Sequence, residues 1–151
     1  MIKYFAYGSN MSPAQIAERV GEVANAQPAR LEGYELRFNK RSQAKPPCGY
    51  ANIVPAQEKK VYGVLYDLDE NQLGKIDDRE GTTGGHYARA LVNVLLNNET
   101  DVEAVAYVAC PEKVEEGLLP TRKYLNHLLA AYKWLPADYL AWLKSHKVKG
   151  E

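Results

Sequence analysis

The sequence is short of cysteine and histidine, the side chains on which disulfide frameworks and most metal sites depend. It has two cysteines and three histidines in 151 residues. Cys48 and Cys110 lie far apart, with no second pair and no histidine at metal-binding spacing, so we expect two reduced thiols and no metal. Phosphate-binding loops and Gly-x-Ser-x-Gly elbows are also missing, which argues against nucleotide-binding and serine-hydrolase functions. We expect no cofactor.

The sequence also lacks an excess of charge and a long apolar run. Nineteen basic side chains balance nineteen acidic ones, and no Lys/Arg block is long enough to follow a phosphate backbone, so nucleic acid is not an expected partner. No apolar run reaches membrane-spanning length, and Met1 to Tyr4 enters a strand-like pattern without a charged leader. We expect a cytoplasmic protein that does not cross a membrane.

The composition is sufficient for one folded unit. Of the 151 residues, 46% are hydrophobic, which is enough for a core without metals or disulfides. We therefore expect a single domain over residues 1–151, as a monomer or a weak homodimer. Tyrosine is unusually common, with eleven residues against two phenylalanines. Such rings pack in half-buried positions and can also offer hydroxyl groups to a polar pocket.

Six strand-like segments and four helical segments follow from the pattern of apolar residues. The strands are expected at 2–7, 29–39, 50–54, 61–68, 86–96 and 102–109, and the helices begin near Pro13, Asp69, Pro120 and Pro136. Because most strands follow one another without a long helix between them, the pattern predicts an α+β fold with a mostly antiparallel or mixed, strongly curved or closed sheet. Gly33 and Gly63 are compatible with bulges that curve such a sheet.

The stretch from Tyr4 to Met11 turns a strand into a loop of small residues and then into a helix. Ser12, Pro13 and Gln15 form a helix start with a capping box. A Gly-Ser-Asn loop at this place exposes backbone N–H groups, which bind a carboxylate or a developing oxyanion. An ordinary strand-to-helix turn, in which these residues satisfy only local geometry, is the alternative interpretation.

Glu80 ends an acidic helix and precedes a loop of small residues. It follows Asp77 and Asp78, and Gly81 marks the expected helix stop. A substrate could approach the carboxylate across such a loop, although an acidic run of this kind is ordinarily a solvated helix end. Tyr124 recurs at helical spacing with apolar residues, which on its own is typical of a core position.

Three motifs together resemble the γ-glutamylcyclotransferase-like family. They are the run from Phe5 to Met11, the Asp-Asp-Arg-Glu-Gly run ending at Gly81 and followed by His86-Tyr87, and Arg122 to Leu125. The resemblance covers most of the chain and implies a compact β-barrel with flanking helices. It implies Glu80 as the catalytic acid/base and a group of substrate-binding residues: Tyr7, Gly8, Ser9, Asn10 and Tyr124. Asn10 makes the loop more similar to the γ-glutamyl-amino-acid branch than to the glutathione-specific or γ-glutamylamine branches.

The reaction implied by the resemblance is a cyclisation of a small γ-glutamyl substrate. A γ-glutamyl amino acid or γ-glutamyl amine would give 5-oxoproline and the free amine, by attack of its own α-amine on the γ-carbonyl. We expect partial burial, together with Asp77 and Asp78, to raise the pKa of Glu80. Residues 40–47 would contact the leaving group, unless they form an ordinary basic surface loop. A non-catalytic binding module, or a cyclotransferase that deprotects a biosynthetic intermediate, is the alternative.

Overall fold

The computed structural model describes residues 1–150, which form five strands, four α-helices and three short 3₁₀ turns. The strands are β1 (Ile2–Ala6), β2 (Ala24–Arg41), β3 (Gly49–Leu68), β4 (Tyr87–Leu96) and β5 (Asp101–Ala109). The helices are α1 (Pro13–Val20), α2 (Glu70–Glu80), α3 (Arg122–Leu129) and α4 (Ala137–Lys144). The 3₁₀ turns are Ser9–Met11, Pro111–Lys113 and Tyr132–Trp134.

The strands form a closed barrel in the order β1-β3-β2-β4-β5. Neighbouring strands are antiparallel except at the closing seam, where β1 and β5 run parallel and pair at Tyr4 and Val105. The predicted α+β fold with a mostly antiparallel barrel and flanking helices is confirmed. Within the barrel, β3 lies between β1 and β2.

The barrel has five strands where the sequence predicts about six, because two expected strands are one. Residues 50–54 and 61–68 both belong to β3, which continues through Pro55 opposite Tyr34 of β2. The long partner strand β2 supplies pairing on both sides of this proline. The pairing register shifts between Glu32 and Tyr34, where Gly33 has a φ of +83°, so the bulge expected at Gly33 is present.

Gly63 brings β1 and β3 unusually close. A Cβ atom at this position would lie 2.2 Å from the backbone oxygen of Ala6, a distance that no real Cβ contact tolerates. Ala6 is the last residue of β1. The close approach therefore fixes the point from which the chain enters the loop at residues 7–12.

Local capping signals determine where the helices that flank this loop begin and end. Ser12 Oγ accepts a hydrogen bond from Gln15 N at 3.4 Å, without the reciprocal bond of the capping box expected there. The complete box lies instead between Asp69 and Gln72 at the start of α2. That helix ends at Gly81, whose φ of +65° is left-handed, and this makes Glu80 its last residue.

The hydrophobic core fills the barrel and the space beneath the helices. Leu31, Leu36 and Phe38 of β2 are all buried and belong to this core. Leu125 and Leu128 attach α3 to the barrel by their fully buried side chains. None of the helices within residues 1–150 has the length and apolarity needed to cross a membrane.

Candidate active site

A cavity of about 840 Å³ lies where the loop at residues 7–12, the C-terminal end of α2 and the start of α3 meet. Its lining includes every residue that the sequence predicts for the site: Tyr7, Gly8, Ser9, Asn10, Glu80 and Tyr124. The fold therefore brings together residues from three distant parts of the chain. The catalytic and binding roles of these residues remain predictions.

Gly8 lies where the loop packs closely against two other segments. A Cβ atom on Gly8 would come within 3.2 Å of Tyr124 Oη and 3.3 Å of Ala51 Cβ. Tyr124 is held there because Thr121 Oγ1 caps α3 and because the tyrosine hydroxyl accepts a hydrogen bond from Ala51 N at 3.0 Å. A larger residue at position 8 would push these neighbours apart.

Asn10 is the centre of a hydrogen-bond network around the cavity and is only 3% exposed. Its Nδ2 donates to Tyr4 Oη at 3.0 Å and to Glu80 Oε1 at 3.4 Å. Its Oδ1 accepts from Arg19 Nη1 at 2.7 Å, and its backbone oxygen accepts from Tyr66 Oη at 3.0 Å. Because Arg19 can only donate, the amide oxygen faces the guanidinium and the amide nitrogen faces Glu80.

The Glu80 carboxyl group is half-buried at the wall of the cavity. Desolvation raises its pKa from the ordinary 4.5 to about 7, while the positive charges of Arg19 and Lys40 act in the opposite direction. A carboxyl group with this pKa is present in both protonation states near neutral pH. It is therefore able to accept and return a proton there.

The expectation that Asp77 and Asp78 help to raise this pKa is wrong. Neither acid is among the groups that perturb Glu80. Asp77 instead accepts two hydrogen bonds from Arg89, at 2.8 and 2.6 Å, and one from Tyr107 Oη at 2.5 Å. The bonds from Arg89 hold the pKa of Asp77 below its usual value, so its charge is already neutralised locally.

Tyr7 presents its ring to the cavity, because its hydroxyl is engaged elsewhere. Tyr7 Oη donates to the backbone oxygen of Tyr107, across the barrel seam. Desolvation, followed by the nearby charge of Glu80, raises the pKa of Tyr7 well above the ordinary value. Tyr7 is thus a protonated donor at neutral pH, and its hydroxyl attaches the start of the loop at residues 7–12 to β5.

Lys40 and Arg19 also line the cavity, and sequence reasoning did not single out either one. Residues 40–47 were expected to contact the leaving group, and three of them, Lys40, Gln43 and Ala44, line the cavity. Strand periodicity is not a sufficient signal for Lys40. Phe38, Asn39 and Lys40 are all buried, and the pairing of β2 with β3 shifts register between Arg37 and Lys40, so the alternation expected of a strand is interrupted there.

Proton transfer and hydrogen bonding are the chemistry that these side chains offer. Within residues 1–150, no group of three or more His, Cys, Asp or Glu side chains is arranged to hold a metal ion. The cavity combines one proton-accepting carboxyl group, an oriented amide and two cationic side chains, all surrounded by tyrosine rings. This set suits a small polar molecule that carries a carboxylate and an amine.

The chain is similar in sequence to proteins of known activity. The chain is 28% identical over 148 residues to gamma-glutamylcyclotransferase from Homo sapiens, an alignment that covers 94% of this chain and 77% of the relative. It is 24% identical over 147 residues to gamma-glutamylcyclotransferase from Mus musculus, with the same coverage of both chains.

Two solved structures share the fold. A gamma-glutamyl cyclotransferase superposes with a TM-score of 0.90 at 24% identity, covering 99% of this chain and 90% of that one. A yeast gamma-glutamyl cyclotransferase specific to glutathione superposes with a TM-score of 0.71 at 16% identity, covering 94% of this chain and 93% of that one.

The curated relatives, together with the shared fold, indicate an enzyme of the γ-glutamylcyclotransferase-like type. The model of the AIG2-like family matches residues 60–143, which is more than half of the chain. The chain belongs to the AIG2-like family.

Proposed function

We propose that this enzyme converts a γ-glutamyl amino acid or γ-glutamyl amine to 5-oxoproline and the free amine. The observation that carries the proposal is the pairing of Glu80, with its pKa of about 7, with the oriented Asn10 amide inside one cavity. The names of the relatives support the same reaction class.

In this reaction the substrate supplies its own nucleophile. The α-amine attacks the γ-carbonyl carbon, a new C–N bond closes the five-membered lactam, and the bond to the departing amine breaks. Holding one molecule in a reactive conformation can contribute about 7–11 kcal/mol to lowering such a barrier. The tyrosine-walled cavity, with Tyr7 and Tyr124 on its lining, supplies that restraint without a protein nucleophile.

Glu80 moves the protons that the reaction must relocate. The substrate amine arrives as an ammonium, and the Glu80 carboxylate accepts one proton from it before or during attack. The attacking nitrogen loses a second proton as the lactam forms, and the departing nitrogen gains two and leaves as an ammonium. Glu80 carries these protons one after the other, so the enzyme ends in its starting state. A pKa near 7 makes acceptance of a proton from the substrate ammonium less uphill than it is for an ordinary glutamate.

The loop at residues 7–10 binds the γ-glutamyl group in this proposal. Ser9 and Asn10 begin a 3₁₀ turn, and the first N–H groups of a helical turn have no intrahelical acceptor. They are donors either for the substrate carboxylate or for the oxyanion that forms at the γ-carbon. Asn10 Nδ2 adds a donor beside Glu80.

A product assay on two matched substrates tests the proposal. Wild type should release alanine and 5-oxoproline from γ-glutamyl-alanine and nothing from its N-acetylated form, because an amide nitrogen cannot attack. Glu80→Gln should lose this activity by at least about 10²-fold, whereas Glu70→Gln, an exposed residue at the other end of α2, should not. Glutamate as the product, or alanine released from the acetylated compound, would contradict cyclisation.

The same assay addresses the alternatives. A binding module would release nothing from either compound, and the acid at position 80 would have no role there. A specialised cyclotransferase would act poorly on γ-glutamyl-alanine and well on another γ-glutamyl compound in a wider panel. Cytoplasmic localisation, the single domain and the monomeric or weakly dimeric state stay predictions from the sequence.

A further inference from the structure

Lys40 is a buried cation whose position is determined by two acceptors. The residue is only 3% exposed. Its Nζ donates to the backbone oxygen of Arg41 at 2.9 Å and lies 2.8 Å from His86 Nδ1. Desolvation, together with the charges of Lys40 and Lys113, lowers the pKa of His86, so the ring is neutral and its Nδ1 accepts. Both contacts are therefore donated by Lys40.

The third N–H of this ammonium has no acceptor among the residues that the structure describes. A lysine ammonium carries three donors, and the contacts of Lys40 Nζ within residues 1–150 satisfy two of them. The rings of Tyr50 and Tyr87 lie 5.8 and 5.7 Å from Nζ, an arrangement that attracts a cation. Desolvation, followed by the charge of Lys113, lowers the pKa of Lys40 from its ordinary value, while the charge of Glu80 acts in the opposite direction. Because Lys40 lines the cavity, a ligand in the cavity is suited to accept the remaining bond.

A second, smaller cavity of about 390 Å³ continues from the first on this side. The two cavities share Gln43, Ala44 and His86. Arg41, Lys45 and Lys113 also line the smaller one, and no Asp or Glu within residues 1–150 does. Arg41 is paired with Glu115 at 3.8 Å, and the positive charges of Lys45 and Lys113 attract anionic groups to this cavity.

The loop around this second cavity has a defined shape. Ser42 is buried, and its Oγ accepts hydrogen bonds from Ala44 N at 3.3 Å and from Cys48 N at 2.9 Å. Ser42 N also donates to the backbone oxygen of Cys48 at 3.0 Å. These three hydrogen bonds close the loop on itself.

We propose that Lys40 determines substrate specificity by binding an acidic group on the departing amine. This inference rests on the proposed function, in which the loop at residues 7–10 holds the γ-glutamyl group and Glu80 lies beside the reacting nitrogen atoms of the substrate. Within residues 1–150, the polar contacts of Lys40 Nζ are with Arg41 and His86, not with that loop. Arg41 and His86, the two residues that Lys40 Nζ contacts, also line the second cavity, and we place the departing amine on this side.

The test compares two substrates that differ in one charge. γ-Glutamyl-alanine and γ-glutamyl-alaninamide have the same γ-glutamyl group and the same shape, but only the first has an acceptor carboxylate. Wild type should favour the carboxylate compound by at least about 10-fold in kcat/KM, as expected for a charge-assisted hydrogen bond. In Lys40→Met this ratio should fall to near one. Lys59→Met, an exposed lysine of β3, should keep the wild-type ratio.

Several outcomes would overturn the proposal. A wild-type ratio near one, which needs no variant, contradicts it. So does an unchanged ratio in Lys40→Met, and an equal loss on both substrates would assign Lys40 to the γ-glutamyl carboxylate or to folding.

Calorimetry of both compounds on the same proteins keeps this test separate from the test of cyclisation. If no 5-oxoproline forms from either compound, the proposed function fails. The ratio of the two dissociation constants then tests the role of Lys40 in binding. If neither compound binds, the proposal for Lys40 is overturned.

Discussion

Asn10 Nδ2 lies 3.4 Å from Glu80 Oε1, although the two residues are 70 positions apart in the chain. Arg19, bound to the other end of the same amide at 2.7 Å, sets the direction in which that amide points. The guanidinium thereby acts on Glu80 in two ways. It orients a donor toward the carboxylate, and its charge lowers the pKa that desolvation raises.

Arg19→Met should therefore change the pH dependence of catalysis. In wild type, kcat/KM should rise with pH and its acidic limb should have a midpoint near pH 7, because protonated Glu80 cannot accept a proton. Without the guanidinium this limb should move to higher pH. Steady-state kinetics from pH 5 to 9 measure the shift, and Arg37→Met, on the partly exposed outer face of β2, serves as control. A limb that stays in place would contradict the coupling.

Glu80→Gln should alter how stability depends on pH. The folded state holds the Glu80 proton more tightly than the unfolded state, since the pKa rises from 4.5 to about 7 on folding. Wild type should therefore lose stability as the pH increases between these values, by up to about 3 kcal/mol. The variant lacks this loss. Denaturant unfolding of both proteins at pH 5 and pH 8 provides the comparison, and parallel pH curves would rule out a buried carboxyl group.

Gly8→Val should weaken substrate binding. Its side chain would collide with Tyr124 Oη and Ala51 Cβ, which lie within 3.2 and 3.3 Å of a Cβ at this position. Calorimetric titration of γ-glutamyl-alanine into the folded variant should show at least about tenfold lower affinity, because about 1.4 kcal/mol of lost binding energy corresponds to that factor. Gly74→Val is the matched control, since a Cβ there meets no atom within 4 Å. Unchanged affinity in folded Gly8→Val would place the ligand elsewhere.

Tyr124→Phe should destabilise the fold as well as the site. The tyrosine hydroxyl is the acceptor for Ala51 N, and Ala51 is only 2% exposed. A buried N–H that loses its acceptor costs about 1–3 kcal/mol. Thermal unfolding should show this loss in Tyr124→Phe and almost none in Tyr132→Phe, whose ring is 58% exposed. Equal stabilities of the two variants would mean that the bond to Ala51 contributes nothing.

Local features of the fold are predictable from sequence, because their causes lie within a few residues. The helix that begins after Ser12, the helix stop at Gly81 and the bulge at Gly33 each follow from a cap or a glycine. The continuity of β3 is not predictable in this way. Pro55 argues against a strand interior locally, and only the pairing with β2, which is distant in sequence, overrides it.

The candidate site is only partly predictable, because its contacts join residues that are far apart in the sequence. The loop at residues 7–10 and Glu80 were grouped through resemblance to a family, since nothing in the spacing alone places residues 70 positions apart in contact. The raised pKa of Glu80 was expected, but its cause was assigned partly to Asp77. That acid is instead neutralised by Arg89 on β4, an interaction between elements that local sequence does not reveal.

The parallel seam between Tyr4 and Val105 links ligand binding to the opening of the barrel. Tyr4 and Tyr107, one from each strand of the seam, both line the cavity, and their rings pack edge to face 5.8 Å apart. A ligand that binds only the closed barrel must lower the frequency at which this seam opens. A γ-glutamyl ligand should therefore slow the hydrogen exchange of backbone amides in β1 and β5 more than that of amides in the middle of the β2–β3 pairing.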